Sequence, residues 1–183
     1  MCFKHRSKEA KASLNPGGPL TGRAFAFPAL PRTLDDFLNR PEADLSDPFR
    51  SAALTILALS IYSIDQPLCF KALAFLKGPF GLSNEEKAAV AAAMAHRQSY
   101  IPFSFYEGAT PENNYRANQP YTVVIQGLDK PGDEDEVTLY VQSSGAQTLR
   151  SLTLKRSPEG LYLLLKADLL GPIIAPKRDN PWA

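Results

Sequence analysis

Near residue 100 the chain changes its grammar. Three alanine- and leucine-rich segments with helical spacing give way to short alternating apolar runs separated by turn residues. Helical periodicity first and period-two alternation afterwards predict an α+β fold, an N-terminal three-helix layer packed on a C-terminal four-stranded antiparallel meander. At 183 residues and 44% hydrophobic content the chain can bury one sizeable core, so a single α+β domain over residues 33–183 is expected, preceded by a tail.

Helix starts are marked by residues that can satisfy the orphan N–H groups of a first turn. Thr33 precedes a short turn over Leu34–Asn39, Asp47-Pro48 opens a helix to about Tyr62, and Asp65 opens another from Gln66 to Lys77, closed by Gly78-Pro79. Ser83-Asn-Glu-Glu86 reads as a capping box, with a third full helix running to about Arg97. Phe49, Leu54, Ile56, Leu57, Leu59 and Ile61 surround most of the Asp47 helix and make it the central one. His96 and Arg97 fall where cations favour a helix C-terminus, so His96 is read as a cap and not as a metal ligand.

Four strands are expected over Tyr121–Gln126, Val137–Gln142, Leu149–Arg156 and Leu161–Lys166. Their turns fall at Lys130-Pro-Gly, Ser143-Ser-Gly and Ser157-Pro-Glu-Gly. Alternation turns Val123, Ile125, Val137, Leu139, Val141, Leu152, Leu154, Leu161, Leu163 and Leu165 toward the helices. Thr122, Tyr140, Gln142, Tyr162 and Leu164 then occupy the outer face.

Residues 1–32 combine basic side chains with Asn15-Pro-Gly-Gly-Pro19 and the Pro28/Pro31 pair, a composition that buries little, and are read as a mostly disordered basic tail. Ala24–Leu30, with Phe25 and Phe27, is the part able to dock on the domain. Twenty basic against nineteen acidic side chains leave +1, which removes the global electrostatic case for nucleic acid or an anionic membrane. No signal-like apolar run follows the basic start, and Cys2 and Cys69 lie in unlike settings that disfavour a mutual disulfide. A cytoplasmic protein is the expectation. Ala52–Ile64, the longest apolar stretch, falls short of the roughly 18 residues a membrane span requires.

Chemistry is scarce. No nucleophile elbow, phosphate loop, metal-ligand spacing or dinucleotide signature appears, and neither a metal nor another cofactor is expected. Asp129–Glu136 is rich in carboxylates but lacks the alternation and central glycine of a calcium loop, so it reads as a solvated hairpin. Ser143-Ser-Gly145 has only His5 and His96 as potential bases, neither well placed for nucleophilic catalysis. The unusual stretch is Gly108-Ala-Thr-Pro-Glu-Asn-Asn-Tyr115, a structured loop by its asparagines, with Tyr115 as a lid on the core. Glu112, Asn113, Asn114 and Tyr115 on this loop, with Tyr140, Gln142 and Tyr162 on the outer sheet face, form the candidate binding residues, because tyrosines suit protein interfaces.

Gly108–Tyr115, Pro120-Tyr-Thr-Val123, Ser143-Ser-Gly-Ala146 and the closing Asp179-Asn-Pro-Trp-Ala183 together resemble an uncharacterised bacterial domain family, one catalogued as a domain of unknown function and met in anaerobic gut bacteria. The resemblance covers roughly Glu42–Ala183 and carries over no catalytic residue. Relatives tend to have tryptophans where this chain reads Leu161-Tyr-Leu-Leu-Leu165, which argues against an aromatic binding site on that strand. The expected function is a non-catalytic interaction or binding module with a protein partner. The alternatives are a small-ligand or enzymatic pocket between helices and curved sheet, or a structural assembly subunit of unknown oligomeric state.

Overall fold

Four side-chain caps start the helices where the sequence places them. Thr33 Oγ1 accepts from the Asp36 amide while the Asp36 carboxylate accepts from the Thr33 amide, opening α1 (Leu34–Leu38). Asp47 accepts from Phe49 N at the head of α2 (Pro48–Ile61), and Asp65 from Leu68 N at the head of α3 (Gln66–Lys77). The Ser83/Glu86 capping box opens α4 (Asn84–Ala93). Each such cap contributes about 1 kcal/mol by pairing amides that the helix itself leaves open. The structure, a computed structural model, describes residues 19–128 and 135–179. Most of the acidic hairpin expected at Asp129–Glu136, its Lys130-Pro-Gly turn and the last four residues therefore lie outside the described part.

α2 is the central element. Every one of its residues except Arg50 is buried, and it touches α3 and all five strands. Fully burying each of Leu54, Ile56, Leu57 and Ile61 is worth about 1.5–3 kcal/mol. α4, by contrast, has no buried residue and stops at Ala93 instead of Arg97. Met94 turns into the core, and His96 and Arg97 adopt left-handed backbone at φ 53° and 67°. That reversal lets a 3₁₀ run, Gln98–Phe105, lay Ile101 and Phe105 into the interior beside α2.

The antiparallel sheet has five strands in sequential order, not four: β1 (Leu20–Phe27), β2 (Tyr121–Leu128), β3 (Glu136–Val141), β4 (Arg150–Arg156) and β5 (Tyr162–Asp168). The additional strand comes from residues read as tail. Leu20 pairs with Leu128 and Phe27 with Tyr121. Phe27 is buried and Phe25 packs against the core, so the segment extends the sheet at its edge instead of covering the outer face. Local composition could not show this, because the pairing partner lies in the second half of the chain. The helix count differs too, since α1 joins the three longer helices.

β5 carries a second correction. Thr153 pairs with Lys166 but Leu154 pairs with Leu164, which leaves Leu165 as the extra residue of a bulge. Two residues facing one reverse the side-chain phase of a strand. Leu164 is therefore buried, whereas Leu161 and Leu165, expected inside, are 37% and 44% exposed. Among the described residues no helix is long and apolar enough to cross a membrane.

Candidate functional site

The Pro111–Tyr115 loop is held by its own amides. Asn113 Oδ1 accepts from the Thr110 and Arg116 amides, and its Nδ2 donates to the Gly108 and Arg116 carbonyls. Asn114 Oδ1 accepts from Arg178 N, and the Pro111 carbonyl accepts from Lys177 N, so the loop also grips the C-terminal segment. Asn114 and Tyr115 both sit in the left-handed region, at φ 59° and 57°, which asparagine enters readily but a tyrosine holds only with support from its surroundings. Tyr115 is 3% exposed, stacks on Tyr100 at 5.1 Å and 6°, and donates its hydroxyl to the Ile174 carbonyl. Burial, with the neighbouring Tyr100 and Glu112, pushes its pKa up to about 12.

The Ser143–Ala146 turn closes on the same place. Ser143 and Ser104 share a buried 2.7 Å hydroxyl pair, Ser144 N donates to the Ser104 carbonyl, and Ile174 N donates to the Gly145 carbonyl. A β-carbon on Gly145 would lie 3.1 Å from Tyr115 Cζ and nearer still to its hydroxyl oxygen. Two segments that stand out in the sequence, Gly108–Tyr115 and Ser143–Ala146, are thus stapled with the chain around Ile174–Arg178 into one corner. Their hydrogen-bonding groups face each other, so Asn113 and Tyr115 are holders of the corner, while Glu112 is exposed beside it.

The candidates on the outer sheet face do not assemble. Tyr140 pairs in register with Ser151, and Tyr162 with Arg156; five positions along β4 separate these partners, about 17 Å at ~3.4 Å per residue. Upstream of the bulge Tyr162 packs against the core with the Arg156 guanidinium 6.0 Å from its ring centre. Gln142 donates to the Ser143 and Ala146 carbonyls and serves its own turn. Tyr162→Ala should accordingly lower stability by about 1–3 kcal/mol, and Tyr140→Ala by about 0.5 kcal/mol or less, in urea unfolding.

The buried polar side chains do not converge. Thr55 bonds the Ser51 carbonyl, Ser60 bonds the Ile56 carbonyl and Tyr106 Oη, and the Ser104/Ser143 pair lies elsewhere. Cys69 is fully buried, and desolvation pushes its thiol up to about 12, which removes its nucleophilic form at neutral pH. Among the described residues no group of His, Cys, Asp or Glu is arranged to hold a metal ion.

Among the described residues two concave surfaces stand out, a long one along β5 and one beside Tyr115. One is a groove of about 500 Å³ along β5, walled by Leu45, Phe75, Phe80, Leu161, Leu163 and Leu165. Phe80 is 83% exposed, and Leu163 lies under Gly78, whose added β-carbon would meet it at 2.9 Å. A second apolar recess of about 290 Å³ continues from it between α4 and β5, sharing Leu164 and Leu165. The other surface is a cleft of about 330 Å³ beside Tyr115, with Tyr100, Phe103, Tyr121, Arg116 and Arg178 on its walls. Sequence reasoning singled out Asn114 and Tyr115 on the cleft but missed its arginines and the whole of the groove. The one available signal was Gly78-Pro79-Phe80-Gly81, which puts an aromatic ring on a turn too short to bury it.

No curated protein and no solved structure matches the chain. A family profile, described as Domain of unknown function (DUF6935), matches residues 29–177. It begins upstream of the Glu42 boundary drawn from the resemblance and stops before the closing Asp179–Ala183 motif, so it takes in the α1 corner and every described segment that meets at Tyr115. Spanning well over half of the 183 residues, the match shows that the chain belongs to the DUF6935 family, a domain of unknown function.

Proposed function

We propose that this domain is a non-catalytic, cytoplasmic protein-interaction module whose docking surface is the β5 groove. The observation that carries the reading is the exposure of Phe80, Leu161 and Leu165 around one apolar concavity at a sheet edge. Contiguous exposed apolar area at a concavity is the mark of an interface, because its burial supplies the driving force for association. The Tyr162 amide donates to the Leu45 carbonyl, which covers the start of the edge. Beyond it β5 is the last strand of the sheet, and among the described residues no further main-chain bond reaches its outer edge, which leaves room for an added strand.

Charge narrows the partner. Lys155, Arg156 and Lys166 are exposed along the groove, and Glu159 is the acidic side chain among them without a basic partner; Glu86 is already paired with Lys77. An extended segment with alternating apolar residues and acidic flanks complements this surface.

Site-specific photocrosslinking in the intact chain tests the reading, with a benzoylphenylalanine placed at Phe80, at Leu165 or at Tyr140. The first two positions should label one and the same protein, within an acidic, apolar segment, and Tyr140 should not. Equal labelling from Tyr140, or labelling that maps to a basic segment, sinks the proposal. Labelling of a second copy of this chain alone would transfer the groove to an assembly role.

A further inference from the structure

We propose that the cleft beside Tyr115 binds a small aromatic carboxylate. The walls supply both halves of such a ligand's chemistry. Tyr100, Phe103 and Tyr121 present ring surface, and Tyr121 lies 6.4 Å from Phe103 in an edge arrangement. Aromatic ligands gain from such offset and edge contacts beyond simple burial.

The polar side of the cleft is built of donors. Asn114 Oδ1, an acceptor on the wall, is already engaged by the Arg178 amide, and the Tyr115 hydroxyl is engaged by Ile174. What remains for a ligand is the Arg116 and Arg178 guanidiniums with the hydroxyls of Ser99, Tyr100 and Tyr121. Among the described residues Arg116 has no carboxylate in ion-pair reach, and the Arg178 guanidinium meets Asp179 alone, at 3.6 Å through Nε, which leaves its two terminal nitrogens for a ligand. The Asp179 carboxylate reaches the Tyr100 side of the cleft, yet two guanidiniums against one carboxylate leave the wall net cationic, and a planar guanidinium fork suits a carboxylate. A volume of about 330 Å³ lies at the small end of ligand sites, which fits one or two rings and excludes a large cofactor.

This site is separate from the β5 groove, so either can fail without the other. The test uses the full chain, ¹⁵N-labelled, titrated with phenylacetate, phenylacetamide and acetate while amide shifts are followed. Phenylacetate should bind with a Kd on the order of 1 mM or tighter and move the amides around Ser99, Arg116 and Arg178. The amide and acetate should each be weaker by roughly tenfold or more, as should phenylacetate with Arg116→Gln or Arg178→Gln. Both arginines are exposed, so these variants should keep the wild-type melting temperature. Equal binding of the amide would remove the carboxylate from the proposal, and equal binding of acetate would remove the ring. Shifts mapping elsewhere, or no shifts at about ten times the expected Kd, would overturn it altogether.

Discussion

Phe27→Ala should cost about 3–5 kcal/mol in urea unfolding and lower the melting temperature by on the order of 10 °C. Phe27 is 1% exposed, ends the eight-residue ladder of β1 on β2, and has the Arg40 guanidinium 5.5 Å from its ring centre. Truncation leaves a cavity that a sheet edge held between β2 and the helices cannot close. The size matters because whole domains hold only about 5–15 kcal/mol, so one ring in a segment with a tail-like composition would account for a large fraction of the total. A truly solvated tail would give a change within about 0.5 kcal/mol. Thr21→Ala, an exposed position on the same strand, is the matched control and should stay inside that margin.

The second large effect is expected at Gly145. Adding one methyl group forces it against Tyr115 Cζ and Ile173 Cβ, both 3.1 Å away, and harder against the Tyr115 hydroxyl. Tyr115 cannot simply rotate aside, because it is buried, stacked on Tyr100 and bonded to Ile174. Gly145→Ala should therefore destabilise by about 2–3 kcal/mol through overpacking and a lost buried hydrogen bond. Tyr115→Phe provides the sign of the coupling. Alone it should cost about 1 kcal/mol, yet in the Gly145→Ala background it should cost less or even restore stability, since the hydroxyl is the clashing atom. Additive losses would show that the two residues do not meet.

The helical half was legible because its information is local. Thr33, Asp47, Asp65 and Ser83 each act on amides two or three residues away, and α3 runs over the Gln66–Lys77 range expected for it. What escaped depended on distance along the chain or on a count of one. β1 needs β2, and Tyr162 changes face because Leu165 adds a single residue to its strand. α4 ends early because Met94 is drawn into the core, a tertiary demand that overrides the helix-forming alanines before it.

The candidate site divides along the same line. Asn113 and Asn114 were readable as loop-formers from their own chemistry, but the partners that make Tyr115 a buried strut come from Gly145 and Ile174. The Arg116/Arg178 cleft joins residues 62 positions apart, and no local pattern announces it. Phe80 is the exception, since the short Gly78-Pro79-Phe80-Gly81 turn hints at its exposure while the groove it walls needs Leu161 and Leu165 from β5.

The β1–β2 ladder also sets a schedule for synthesis. Phe27 leaves the ribosome 94 residues ahead of Tyr121, its partner in the ladder. At about 5–20 residues per second this is a delay of roughly 5–20 s. Throughout that interval Phe25 and Phe27 have no ladder to join, and over its later half α2 and α3 are complete without the sheet that covers them. A nascent chain of this design presents its stickiest surfaces first and completes them last, so its yield in the cell depends on elongation rate as well as on final stability.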